Sequence, residues 1–295
     1  MKNLIFNSDD FGLNEEANLA IMEGYSKGIL TSTCITSNGE FYEHGLKEIL
    51  PEIPNIGKGI HLNIVEGKSL TNPLLFTDKN GRFNRGFIWF LYNSNNKKLL
   101  SQIEQEFRAQ IEKIIADTEI DHINSHVHIH SIPSIFNLVL KLALEYKIKN
   151  IRVQYEKPYF VPKFNKILTP RYPINLIKLE LLNTLSITNK NTVLKLNSNS
   201  KKININDYLI GVNFTGNMDR DTILAGLSSL QNIENKTVEI LVHPKYLTCD
   251  EYKLNYKELL AVTEPELKTE IQKLGFKLTN YKELDCNVSN EFVNC

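Results

Sequence analysis

Three of the chain's seven histidines, His126, His128 and His130, stand at alternate positions in the run Ile123-Asn124-Ser125-His126-Val127-His128-Ile129-His130. On a β-strand, side chains two residues apart share a face, about 7 Å from one another. That reading sends Val127 and Ile129 into a hydrophobic layer and lines the three imidazoles along the opposite side. Burying a row of imidazoles is costly unless something binds it, and a divalent metal is the usual occupant. One ion cannot span residues spread over about 14 Å of strand. His126 is therefore expected to ligate, while His128 and His130 line the pocket or support the ligands.

Partners for His126 lie elsewhere in the chain. Asp9-Asp10 follow the apolar Leu4-Ile5-Phe6, and His61 sits in Gly59-Ile60-His61-Leu62-Asn63. Arg152 follows Ile151, and His243 closes Val238-Glu239-Ile240-Leu241-Val242 just before Pro244. Asp10, His61 and His126 supply one carboxylate and two imidazoles, the three-ligand set of a hydrolytic metal site with an open position. Such an ion acidifies bound water and polarises a carbonyl. Mixed oxygen and nitrogen ligation suits zinc, cobalt, nickel, manganese or iron, whereas pure magnesium sites prefer oxygen. Adjacent aspartates face opposite ways in an ideal strand, but a chain bending at the strand end turns both toward the pocket. One can then ligate while the other takes a proton from water. His243 is placed to protonate a leaving amine, and Arg152 to hold an aspartate or a substrate oxygen. Asn63 joins His128, His130 and Arg152 as candidate pocket lining or ligand support, and His122 reads as structural.

The elements that would position these residues alternate. Strands are expected at Leu4–Phe6, Ser32–Ser37, Gly57–Ile64, the His-rich run, Ile151–Gln154, Leu209–Phe214, Thr237–Val242 and Phe276–Leu278. Helices are expected from Asn14 to Gly28, Glu40 to Leu50, through Ile103 to Ile115, and over Pro133–Tyr146, Asp219–Leu230 and Glu264–Leu274. Repeated strand–helix units imply parallel strands with right-handed crossovers. Seven or eight of them suggest a barrel of α/β class, whose working residues lie at the C-terminal strand ends. Asp9, Asp10, His61, His126, Arg152 and His243 all fall at or just past such ends.

Two stretches break the rhythm. Residues 66–98 read as loop-rich, and Phe87, Trp89, Phe90 and Tyr92 there either stack on a substrate ring or pack the loop. Residues 155–206 contain four prolines, and thirteen Lys/Arg stand against three Asp/Glu over 141–202. This second stretch reads as a solvated insertion, or as a lid or subsite wall. The 295 residues are otherwise read as one domain.

Composition removes several function classes. Lys plus Arg equals Asp plus Glu at 34 each, so no overall charge points to nucleic acid or a membrane surface. No GxGxxG or Walker motif supports a nucleotide site. No segment has the length of a membrane span, and the N-terminus is not that of a signal peptide. The four cysteines, Cys34, Cys249, Cys286 and Cys295, form no CxxC pair; a reduced, cytoplasmic setting is the simpler reading. A homodimer is a guess from barrels of this kind.

Taken jointly, Asn7-Ser8-Asp9-Asp10-Phe11-Gly12-Leu13, Gly28-Ile29-Leu30-Thr31-Ser32-Thr33, Gly59-Ile60-His61-Leu62, His122 to His130, Thr215-Gly216-Asn217-Met218 and Glu239-Ile240-Leu241-Val242-His243-Pro244 resemble the YdjC-like carbohydrate deacetylases, which include the chitooligosaccharide deacetylases. The likeness runs from residue 2 to about 281. It implies a distorted (β/α) barrel related to polysaccharide deacetylases, and metal-dependent removal of an N-acetyl group from a small amino sugar, releasing acetate. Asp10, His61 and His126 match the family's metal ligands, Asp9 its general base and His243 its general acid. Family members are commonly given magnesium; the ligand set here argues equally for zinc. One departure stands out: the family usually has aspartate where this chain has Asn124. The residues also leave room for other readings: the same scaffold acting on a phosphoester, a non-catalytic sugar- or metal-binding protein, or structural histidines without metal.

Overall fold

The computed structural model describes residues 2–162, 171–199 and 202–284. Its centre is β1 (Lys2–Phe11), buried from Leu4 onward. Such a run suits a parallel strand with both faces covered. α1 (Glu15–Ser26) starts where the Asn14 side chain accepts the Ala17 amide at 2.9 Å, and leads to β2 (Ser32–Ile35). The helix expected over Glu40–Leu50 is a series of short helical turns instead, ending before β3 (Gly57–Leu62).

Further along come α2 (Phe87–Asn93), α3 (Lys97–Asp117), β4 (His122–Ser125), α4 (Pro133–Glu145) and β5 (Asn150–Ile151). They are followed by α5 (Arg171–Asn197), β6 (Asn204–Ile205), β7 (Tyr208–Ile210), α6 (Arg220–Ser229), β8 (Lys236–Val242), α7 (Lys253–Val262), α8 (Pro265–Lys273) and β9 (Phe276–Thr279). The strands pair in the order β6-β5-β4-β3-β2-β1-β8-β7, all parallel, with β9 also on β1. This is a curled half-barrel with helices between its strands, as the alternation predicts. The seam lies at β6 and β7. There the Asn206 side chain bonds the backbone N–H and C=O of Val153, at 2.7 and 2.9 Å, and the Leu209 amide donates to Tyr155.

α3 carries the stripe Leu99, Ile103, Phe107, Ile111 and Ile114 on its buried face. Full burial of side chains this size stabilises by about 1.5–3 kcal/mol each.

Two sequence expectations need correction. The stretches read as loops at 66–98 and 155–206 carry helices, α2 and α5. The buried positions of α5 are Leu179, Leu182, Ser186, Asn189 and Val193, spaced three and four apart as one helix face requires. Two of those five are polar, which erased the apolar signal. Asn189 uses its place to donate to the Ser131 carbonyl at 2.8 Å. The helix α7 was likewise not expected. Residues 163–170, within the second insertion, lie outside the described residues, as do Cys286 and Cys295.

Candidate active site

The His-rich run is not the alternating strand its spacing suggests. β4 ends at Ser125, and residues 126–131 form a tight turn in which Val127 (φ 44°) and His128 (φ 60°) adopt left-handed backbone. The three histidines therefore part company. His126 turns into the rim of the barrel. His130 is buried, sharing a short hydrogen bond with Ser125 and lying 3.0 Å from the Arg152 carbonyl. Burial there holds its imidazole at a pKa of about 3. His128 is 5% exposed and its Nδ1 has no partner among the described residues.

A bend also resolves the Asp9-Asp10 problem. Asp10 has φ 70°, and the β1–β2 register shifts between Ser8 and Phe11. This bulge brings consecutive side chains into one pocket, and aspartate is among the few residues that tolerate left-handed backbone. Pairing of Ser8 with Val242 sets His243 beside this bulge, and pairing of His61 with Asn124 sets those two side by side.

Asp10 Oδ1 lies 3.1 Å from His126 Nδ1 and 3.4 Å from His61 Nε2, and the two imidazole nitrogens are 3.3 Å apart. Donors at about 2.1 Å from one ion would be separated by ~3.0 Å in octahedral and ~3.4 Å in tetrahedral geometry. The three donors thus fit a single divalent cation of either geometry. Each imidazole's other nitrogen is also engaged: His61 Nδ1 lies 2.7 Å from Asn124 Oδ1, and His126 Nε2 lies 3.0 Å from Glu66 Oε2. Such outer contacts select the tautomer that ligates. Although burial pushes the His126 pKa down, the flanking Asp10 and Glu66 carboxylates raise it to about 10. A cation entering here displaces a proton.

Asp9 is 2% exposed. Its carboxylate takes both Arg152 terminal nitrogens, at 2.7 and 2.8 Å, and the amides of Asn7 and Asn124, each at 2.9 Å. Burial pushes its pKa up, but the Arg152 guanidinium and nearby imidazoles bring it down to about 2. Arg152 is fully buried and also grips Glu239, at 2.9 and 2.5 Å; Tyr281 donates to the same Glu239 at 2.7 Å. Of the two roles read for Arg152, the structure shows the aspartate. His243 is half-buried, one residue past the Val242 that pairs with Ser8. Its backbone is clamped by α7, where Glu258 accepts its amide at 2.6 Å and Asn255 donates to its carbonyl at 2.6 Å.

The remaining candidates lie outside this cluster. Asn63 is occupied by its own loop, accepting the Val65 and Glu66 amides and donating to the Glu66 carbonyl; it shapes the turn that presents Glu66. Phe90 is buried against Phe76, and Phe87 packs on the cluster of Leu179, Leu182 and Leu209. Trp89 is half-buried and Tyr92 largely exposed. His122 is fully buried between Cys34 Sγ, at 2.9 Å, and a short contact to Asp121, with its ring stacked on Tyr281. Burial pushes the Cys34 thiol well above its ordinary range, which disfavours the thiolate that a nucleophile needs. Gly59 makes room for it: a Cβ there would sit 2.4 Å from the His122 ring.

Sequence reasoning missed Glu66 and Glu239. Glu66, in a loop, leaves no periodic signal. Glu239 does leave one, because a charge inside a buried apolar strand demands a buried cation.

Among the described residues no helix is long and apolar enough to cross a membrane. The half-barrel superposes on a structure from Enterococcus faecalis named for cellobiose-phosphate cleavage, with TM-score 0.72, 22% identity, and 96% of this chain and 98% of that one covered. A carbohydrate deacetylase of Brevibacillus brevis is 37% identical over 49% of this chain and 57% of its own length. One from Clostridium beijerinckii is 34% identical over 64% of this chain and 76% of its own. A chitooligosaccharide deacetylase of Proteus mirabilis is 25% identical over 95% and 98%. The YdjC-like protein family model matches residues 3–273, a span that contains every residue of the rim from Asp9 to His243. With that match across nearly its whole length, the chain belongs to the YdjC-like family.

Proposed function

We propose that this protein is a metal-dependent carbohydrate deacetylase that hydrolyses the N-acetyl amide of a small amino sugar. The observation that carries the reading is the convergence of Asp10, His61 and His126 donor atoms within 3.1–3.4 Å of one another, directly beside an ionised Asp9. The names of the relatives support the substrate class. A divalent cation held by Asp10, His61 and His126 would supply Lewis-acid polarisation of the acetyl carbonyl and acidification of water. Zinc and magnesium are both candidates for that cation.

The chain's own residues do the rest. Asp9, kept as a carboxylate by Arg152, accepts the proton of the attacking water. Both of its oxygens are engaged by Arg152, but Oδ1 also carries the Asn7 and Asn124 amides. Oδ2 is therefore the oxygen with lone-pair capacity to spare. His243, fixed through its backbone, delivers a proton to the departing sugar nitrogen, so acetate and a free amine leave. Mere binding of a sugar would need neither of these groups.

Acetate release from a panel of N-acetylated mono- and oligosaccharides, with and without a chelator, tests the reading. Release that stops on chelation and returns with zinc or magnesium is expected. Phosphate release from sugar phosphates with no acetate from any acetylated sugar would overturn it.

A further inference from the structure

We infer that Asn124 is a positioning residue whose amide couples the general base to the ligand tautomer of His61: one side of it holds Asp9, and the other holds the proton on His61 Nδ1, so that Nε2 is free to ligate. The inference rests on the proposed roles of Asp9 and His61. Asn124 is fully buried, and both its N–H donors and its carbonyl oxygen are engaged. Nδ2 lies 2.9 Å from Asp9 Oδ1 and 2.9 Å from Cys34 Sγ, and Oδ1 lies 2.7 Å from His61 Nδ1.

The direction of each bond follows from Asp9. An ionised carboxylate accepts and cannot donate, and Asp9 is kept ionised by two guanidinium contacts. The Asn124 nitrogen must therefore face Asp9, and its oxygen must face His61. That oxygen only accepts, so the proton of a neutral His61 resides on Nδ1. The Nε2 lone pair then points to the space shared with Asp10 and His126, 3.4 and 3.3 Å away. In the opposite tautomer two acceptors would meet at 2.7 Å, and an N–H would occupy the cation's place.

This division of labour separates two substitutions. Asn124→Asp keeps, and strengthens, the acceptor for His61, but replaces the donor to Asp9 with a second anion. Asn124→Ala removes both. Zinc affinity is read by titration calorimetry on chelator-stripped protein, and turnover by acetate release from N-acetylglucosamine oligomers. For N124D we expect zinc binding at least as tight as in the unsubstituted protein, with kcat down about tenfold or more and KM within about threefold. For N124A we expect zinc binding weakened by about 10–100-fold, the usual effect of losing a ligand's outer partner, together with loss of kcat.

Parallel loss of affinity and turnover in N124D, or unchanged turnover in that variant, would refute the coupling. The tautomer is also readable without any variant: long-range 1H–15N spectra of the zinc-loaded protein should show the His61 ring protonated at Nδ1, and protonation at Nε2 would refute it. If the unsubstituted protein binds zinc but releases no acetate from any sugar, the deacetylase reading fails. The tautomer claim is then still judged by the spectra and the two affinities.

Discussion

Replacing Arg152 with methionine should reverse the local dependence of stability on pH. In the intact protein, Arg152 lies between two buried carboxylates, Asp9 and Glu239, with four contacts of 2.5–2.9 Å. Together with the nearby imidazoles it brings the Asp9 pKa from 3.8 to about 2 against the push of burial. A lowered carboxylate pKa contributes stability that is present above the unfolded value and lost as pH falls through the folded one. Here that contribution is about 2 kcal/mol, lost between about pH 4 and pH 2. Without the guanidinium, burial is opposed only by the nearby imidazoles and the Asn7 and Asn124 amides, and the sign changes. The Asp9 carboxyl then favours its neutral form, so stability falls as pH rises from about 4 to 8.

Breaking a buried ion pair by removing one partner costs about 3–5 kcal/mol, and two carboxylates are stranded here. Urea unfolding at pH 4.5, 6 and 8 should show that the R152M deficit is largest at pH 8. R152K should fall between R152M and the intact protein, since an ammonium keeps the charge without the two-pronged geometry. Turnover should fall with Asp9 protonated, and the acid limb of the rate profile should move to higher pH. A deficit at pH 8 under about 1 kcal/mol, or equal at all three values, would refute the assignment of Arg152 as the group that keeps Asp9 ionised.

Three further outcomes are open to direct measurement. Glu66→Gln should weaken zinc binding about tenfold through His126 Nε2 while leaving the melting temperature unchanged, because Glu66 is itself 58% exposed; equal affinities would remove Glu66 from the site. Glu156 is buried and accepts the Val212 and Asn213 amides at 2.7 and 3.2 Å, yet burial raises its pKa from 4.5 to about 7. A raised carboxyl pKa stabilises the fold below the unfolded value and loses that advantage as pH climbs to the folded one. About 3 kcal/mol should therefore be lost between pH 4.5 and 7, and urea midpoints of Glu156→Gln should be flat across that window. Gly59→Ala should destabilise by about 2 kcal/mol or more, since its methyl must displace the His122 ring from a packed interior; a change under about 0.5 kcal/mol in thermal unfolding would contradict the close approach.

The chain's order and composition determined the half-barrel and the residues at its rim. Alternating apolar runs and helical stripes require parallel strands covered by helices. Reactive residues placed just past those runs must then gather at one end, wherever they lie in the sequence. Asp9, Asp10, His61, His126 and His243 were legible for that reason. Spacing alone misled at the histidine run, because a period of two presumes extended backbone, and the turn at Val127 and His128 breaks it. Spacing was also blind on α5, where Ser186 and Asn189 occupy core positions and conceal the helical face. Only the tertiary structure decided which carboxylate Arg152 holds, that Glu66 reaches His126, and that the Asn124 amide lies between Asp9 and His61. Those choices depend on hydrogen-bond direction and on distances of about 3 Å between strands remote in sequence, which no linear pattern encodes.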